Sequence, residues 1–175
     1  AEHFKCPVYT TTEYEDVVEN PGHYLMPGLT ENAVPDVKGM RDGETIKWHE
    51  YEFTFRYFPG QMIYHGALLV ERPKAKPVFF IGDSFAPSGI DDYCLLNRNL
   101  VHPDAGYPLC FKIIRQLPKD TWLINQHVPH VFRFSDKELT YLETQYAKRT
   151  KILRELFPWD DPNYGIDERW STFYP

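Results

Sequence analysis

The sequence predicts a layered α/β (α+β) protein in which helices cover one face of a mixed β-sheet, with all 175 residues in one domain. Three observations predict it. Short apolar runs, several with period two, fill the chain up to Asp83; a helical period replaces them after His102; and a strand-length apolar run separates two helical stretches. Strands first, then strand, helix, strand and helix, is the order such a sheet requires.

CPVYTTTEYEDVV opens as a short strand and turns polar, NPGHYLMPGLT is loop, and VPDVKGMRDGETIKWHEYEFTFRYFPG is a meander. Within the meander Arg41-Asp42-Gly43 is turn chemistry, and Tyr51, Phe53, Phe55 and Tyr57 alternate as a strand with one apolar face. HGALLVE and PVFFIGD are short strands joined by the polar hairpin link RPKAKP. Tyr107, Cys110, Phe111, Ile114 and Leu117 then recur at helical spacing, in a helix entered near Pro108 and closed before Pro118. DTWLINQHV is a further strand. Ser135 and Glu138 form a capping box at the head of a long helix, whose apolar stripe is Leu139, Leu142, Tyr146, Ile152, Leu153 and Leu156. The tail, 158–175, is irregular but aromatic and is expected to pack on the body.

Composition narrows the function. The net charge is −6 and no Lys/Arg run occurs, which disfavours nucleic acid and anionic membrane as partners. No apolar run approaches the ~20 residues of a membrane span. The first ten residues lack the order of a signal peptide and begin without Met, as in a processed or cut chain. Cys6, Cys94 and Cys110 are odd in number and contain no CxxC, so reduced, buried thiols in a cytoplasmic protein are expected. With 12 Phe, 12 Tyr and 4 Trp, the core should be aromatic.

Three strand-like segments begin or end at a residue able to ligate metal: His65 after FPGQMIY, Asp83 after FFIG and His127 after WLINQ. Loops at strand ends can converge side chains on one point, and zinc accepts imidazole nitrogen together with carboxylate oxygen. Each residue also has a plain alternative. A lone His beside a strand serves as a hydrogen-bonded core or surface group, and an Asp after Gly serves as a turn former.

FPGQMIYHGALLVERPKAKPVFFIGDSF, followed by LPKDTWLINQH, resembles the second half of the metallo-β-lactamase superfamily, from about Cys6 to about Ser135 in order and element type. The fold this implies is one half of an αββα sandwich. The activity it implies is that of a metal-dependent hydrolase, in which water activated by two zinc ions (or iron or manganese) attacks an ester- or amide-type bond of a small-molecule substrate. The resemblance assigns His65 to the first metal, Asp83 to both as a bridge and His127 to the second, with Gly82 clearing room for close backbone approach. A shared anion offsets the repulsion of two dications about 3.5–4 Å apart.

The superfamily's H-x-H-x-D-H signature is absent. The seven histidines are His3, His23, His49, His65, His102, His127 and His130, and none forms H-x-H. Residues 1–175 are therefore expected to be the C-terminal half of such a domain, and the isolated chain to be inactive and to bind zinc weakly or not at all. His102 and His130 are possible extra ligands. Asp91, Asp92, Asn97 and Arg98 form a possible substrate loop, with a solvated surface loop as the plain alternative. A bare half-sandwich should self-associate or pair with an N-terminal half. The alternatives are a non-catalytic binding or assembly module that keeps the fold without a complete metal site, and an unrelated α+β protein in which Gly82-Asp83 is a simple turn.

Overall fold

A computed structural model describes residues 6–24, 32–90, 106–126 and 131–156. Strand β1 (Val8–Thr11) runs directly into helix α1 (Thr12–Glu19), and β2 (Val37–Met40) pairs in parallel with β1. One expectation is corrected, that of a continuous meander from Val34 to Gly60. The polar segment after β1 is a helix, because Glu13 and Glu15 suit its N-terminal turn. Only Val17 is buried, so no apolar stripe advertised it. β2 leaves the meander for β1, since α1 provides the crossover that a parallel pair needs. The Gly39 N–H donates to Glu15 of α1 at 2.9 Å, which ties the three elements together.

The main sheet has six strands in the order β3-β4-β5-β6-β7-β8 among the described residues. They are β3 (Thr45–Trp48), β4 (Tyr51–Tyr57), β5 (Gly66–Glu71), β6 (Val78–Phe80), β7 (Trp122–Ile124) and β8 (Val131–Phe132). β3 to β6 pair antiparallel, β6 and β7 pair in parallel, and β7 and β8 pair antiparallel. The expected turn precedes β3, with Glu44 N–H donating to the Arg41 carbonyl at 2.9 Å and Gly43 at φ +83°. The crossover from β6 to β7 contains α2 (Tyr107–Gln116), and α3 (Asp136–Leu156) follows β8.

The register sorts the side chains onto two faces. Ala67, Leu69, Phe79, Leu123 and Phe132 share the face covered by α2 and α3, and all are buried. That core is aromatic at its centre. Phe58, Phe79, Phe85 and Tyr107 are fully buried, and Phe85 meets Tyr107 and Phe111 edge-on with ring centroids 5.2 and 5.5 Å away. The capping box forms as expected, Ser135 N–H donating to Glu138 at 2.7 Å and Glu138 N–H to the Ser135 hydroxyl at 3.3 Å. Arg115 of α2 donates to Glu143 and Thr140 of α3 at 2.8 and 3.2 Å, joining the helices.

Of the stripe expected on α3, Leu139, Leu142 and Tyr146 pack on the core and Ile152 is exposed, while the side chains of Leu153 and Leu156 lie outside the described residues. Cys6 is exposed, against the expectation of buried thiols; Cys110 is buried, and burial pushes its thiol pKa well up. Cys94 and the aromatic tail lie outside the described residues.

The other face carries Ile46, Phe53, Phe55, Leu68, Val70, Val78, Phe80, Trp122, Ile124 and Val131. Among the described residues β1 covers one end of it, Tyr9 lying 6.4 Å from Phe55 ring to ring and Thr11 packing on Gly66. Trp48, Phe80 and Val131 remain 63, 44 and 53% exposed. No helix among the described residues is long and apolar enough to cross a membrane.

Candidate metal centre

The GDSF turn beyond β6 is held from four sides. Ile81 N–H donates to the Ile124 carbonyl at 3.0 Å and Gln126 N–H to the Gly82 carbonyl at 3.2 Å, extending the pairing of β6 and β7 past their ends. The Asn125 amide donates to the Phe85 carbonyl and the Tyr107 hydroxyl to the Ser84 carbonyl, both at 2.7 Å and both buried. Gly82 takes φ +52°, the left-handed region that favours glycine. The chain thereby leaves the sheet sharply and turns Asp83 out of the strand direction.

Facing this turn is the loop between β4 and β5. It closes on itself, with Phe58 N–H donating to the His65 carbonyl at 2.9 Å and His65 N–H to the Met62 carbonyl at 3.1 Å. Gly60 brings it against the turn: a Cβ there would meet the Ser84 side chain at 2.6 Å. The loop presents two side chains. His65 Nδ1 lies 3.0 Å from the Phe58 carbonyl oxygen. A carbonyl only accepts, so Nδ1 carries the proton and Nε2 keeps its lone pair. Nε2 points at the Gly82 backbone, 2.3 Å from where a Cβ would stand. Gly82 therefore clears room beside the site, as the sequence suggested. The second side chain is Gln61, whose amide nitrogen donates to Asp83 Oδ2 at 3.1 Å.

Burial lowers the His65 pKa, against the opposing pull of the Phe58 carbonyl and the Asp83 carboxylate. The imidazole is thus neutral at physiological pH, as a metal ligand must be. An imidazole with its far nitrogen held by a carbonyl, beside a carboxylate held by an amide, is a donor pair that fits a borderline dication such as zinc.

His65 and Asp83 are two of the three ligands expected from the sequence, and the fold brings their segments together from 18 positions apart. His127, the possible extra ligands His102 and His130, and the loop residues Asp91, Asp92, Asn97 and Arg98 lie outside the described residues. Among the described residues no group of three or more His, Cys, Asp or Glu gathers as a metal cluster. A cleft of about 440 Å³ adjoins His65, lined also by Gln61 and Gly82 and by Tyr9, Thr11 and Tyr14 of the β1–α1 unit. Sequence reasoning missed Gln61, Ser84, Tyr107 and Asn125. Gln61 alone carried a local signal, standing directly after Pro59-Gly60 in the loop that ends at His65.

No family model and no curated protein matches the chain. Solved structures do. A B3 metallo-β-lactamase with an active-site glutamic acid matches at TM-score 0.57 and 17% identity, over 88% of this chain and 61% of its own. A β-lactamase from Chitinophaga pinensis matches at 0.56 and 16%, over 86 and 65%. The class B3 di-zinc metallo-β-lactamase LRA-12 from an Alaskan soil metagenome matches at 0.52 and 12%, over 84 and 64%. This chain thus spans 61 to 65% of the length of these three. The chain carries part of the metallo-β-lactamase fold.

Proposed function

We propose that this chain carries part of the metal centre of a hydrolase of the metallo-β-lactamase type, with His65, Asp83 and His127 as its ligands. One observation carries the reading: His65, its Nδ1 proton engaged by the Phe58 carbonyl, aims Nε2 at the Gly82–Asp83 turn. His127 enters this reading through the sequence resemblance alone and lies outside the described residues.

A bound dication would supply Lewis-acid activation of water and polarisation of an ester- or amide-type bond. The residues of this chain do the holding. Phe58 fixes the His65 tautomer, Gly82 admits the ring, and the bonds to Ser84, Phe85 and Gly82 backbone keep the turn in place. The cleft beside His65 is the place for a small-molecule substrate. Catalytic zinc takes three protein ligands plus water, so three residues shared between two metals predict weak binding and negligible hydrolysis by this chain alone.

The apolar sheet face belongs to the same reading. A further layer of polypeptide carrying the remaining ligands would cover Trp48, Phe80 and Val131, and the isolated chain should self-associate through that face in its place. Light scattering on the purified chain should give a dimer or larger species that Trp48→Lys disperses; a clean monomer would count against this part. Isothermal titration with zinc tests the ligands, and tight binding at two sites would overturn the incomplete-site reading. The non-catalytic binding module becomes the better reading if loss of His65 leaves zinc binding unchanged.

A further inference from the structure

The ligands of a metal site work only when they are aimed, and His65 and Asp83 are aimed by different means. The imidazole is fixed by a backbone carbonyl of its own loop. A carboxylate on a short side chain turns about two torsions, and its orientation needs a donor. Gln61 is such a donor, at 3.1 Å from Oδ2 and 22 positions away in sequence.

The loop that bears Gln61 cannot drift from Asp83. Gly60 N–H donates to the Phe58 carbonyl at 2.8 Å, Phe58 and Met62 clamp His65 from both sides, and Gly60 lies against Ser84 so closely that a methyl group would collide. One closed loop therefore delivers both the imidazole and the amide to the same turn.

We infer that Gln61 is the positioning residue for Asp83: its amide, donating to Oδ2 at 3.1 Å, selects the rotamer that the carboxylate holds. This rests on the reading of His65 and Asp83 as metal ligands but adds a residue and a role to it. Gln61 itself ligates nothing in this arrangement; it acts through Asp83, as the Phe58 carbonyl acts through His65. Hydrogen-bonded partners of metal ligands typically change affinity by about 10–100-fold when removed.

The test compares the full chain with its Gln61→Leu variant, each stripped of metal and checked for unchanged circular dichroism. Three-bond couplings to the Asp83 carboxyl carbon should report one χ1 rotamer in the parent and rotamer averaging in Q61L, with the His65 ring resonances in place. A single rotamer retained in Q61L would overturn the inference. Cobalt(II) titration followed by absorbance should show about 10–100-fold weaker binding for Q61L, while equal binding by the two would also overturn it. His65→Ala separates the two levels. If cobalt binding ignores His65, the metal reading fails, whereas the rotamer result still decides the role of Gln61 toward Asp83.

Discussion

Gly82→Ala perturbs the centre at its tightest point, and two separate costs can be worked from the structure. The first is conformational: Gly82 sits at φ +52°, where a Cβ crowds the following carbonyl at a cost of about 1–2 kcal/mol. The second is a collision, because the added Cβ would fall 2.3 Å from His65 Nε2. The ring must then swing away and lose its bond to the Phe58 carbonyl, a further ~0.5–1.5 kcal/mol. Together these give about 1.5–3.5 kcal/mol, measured as a shift of the urea midpoint at constant slope. Gly43→Ala is the control that separates the two costs. Gly43 also has positive φ, +83°, but nothing lies within 4 Å of its missing Cβ, so it registers the conformational cost alone. G82A should exceed G43A, and only G82A should move the His65 ring resonances. Equal destabilisation with an undisturbed His65 would refute the placement of the ring against the turn.

Two other outcomes follow from the bonds around the same turn. Tyr107→Phe removes the buried hydroxyl that donates to the Ser84 carbonyl at 2.7 Å and should destabilise the chain by about 1–3 kcal/mol in urea melts; a change below ~0.5 kcal/mol would mean that the bond is replaced. Stability should also depend on pH through His65, whose folded pKa is lowered, chiefly by burial, from the ordinary 6.5. The unfolded chain binds this proton more readily. The contribution of neutral His65 is therefore complete above pH 6.5 and is lost as pH falls from there through the folded pKa. Metal-free protein unfolded in urea at a series of pH values should show that loss, and His65→Gln should flatten it; an identical pH profile for the variant would contradict the assignment.

What was legible in the sequence was local or periodic. The capping box at Ser135 and Glu138 needs residues three apart, and the Arg41–Glu44 turn needs four consecutive ones. The face formed by Tyr107, Cys110, Phe111 and Ile114 needs only a period, and all four are buried. The strands β4 to β7 were legible for the same reason. The helix α1 was not, because one buried valine among polar residues makes no stripe, and β8, two residues long, is too short to leave a pattern. At the site, a strand running into Gly-Asp and a histidine at the end of the loop before β5 could be seen as candidates. The residues that hold them could not. Tyr107 reaches Ser84 across 23 positions and Asn125 reaches Phe85 across 40, partnerships that exist only once β6 and β7 lie side by side.

Zinc titration of the metal-stripped chain, run beside His65→Ala and Asp83→Asn with folding checked by circular dichroism, decides whether His65 and Asp83 hold metal. The parent chain should bind zinc weakly, and both substitutions should abolish that binding. Zinc binding of equal strength in all three proteins, or two tight sites in the parent, would contradict that role.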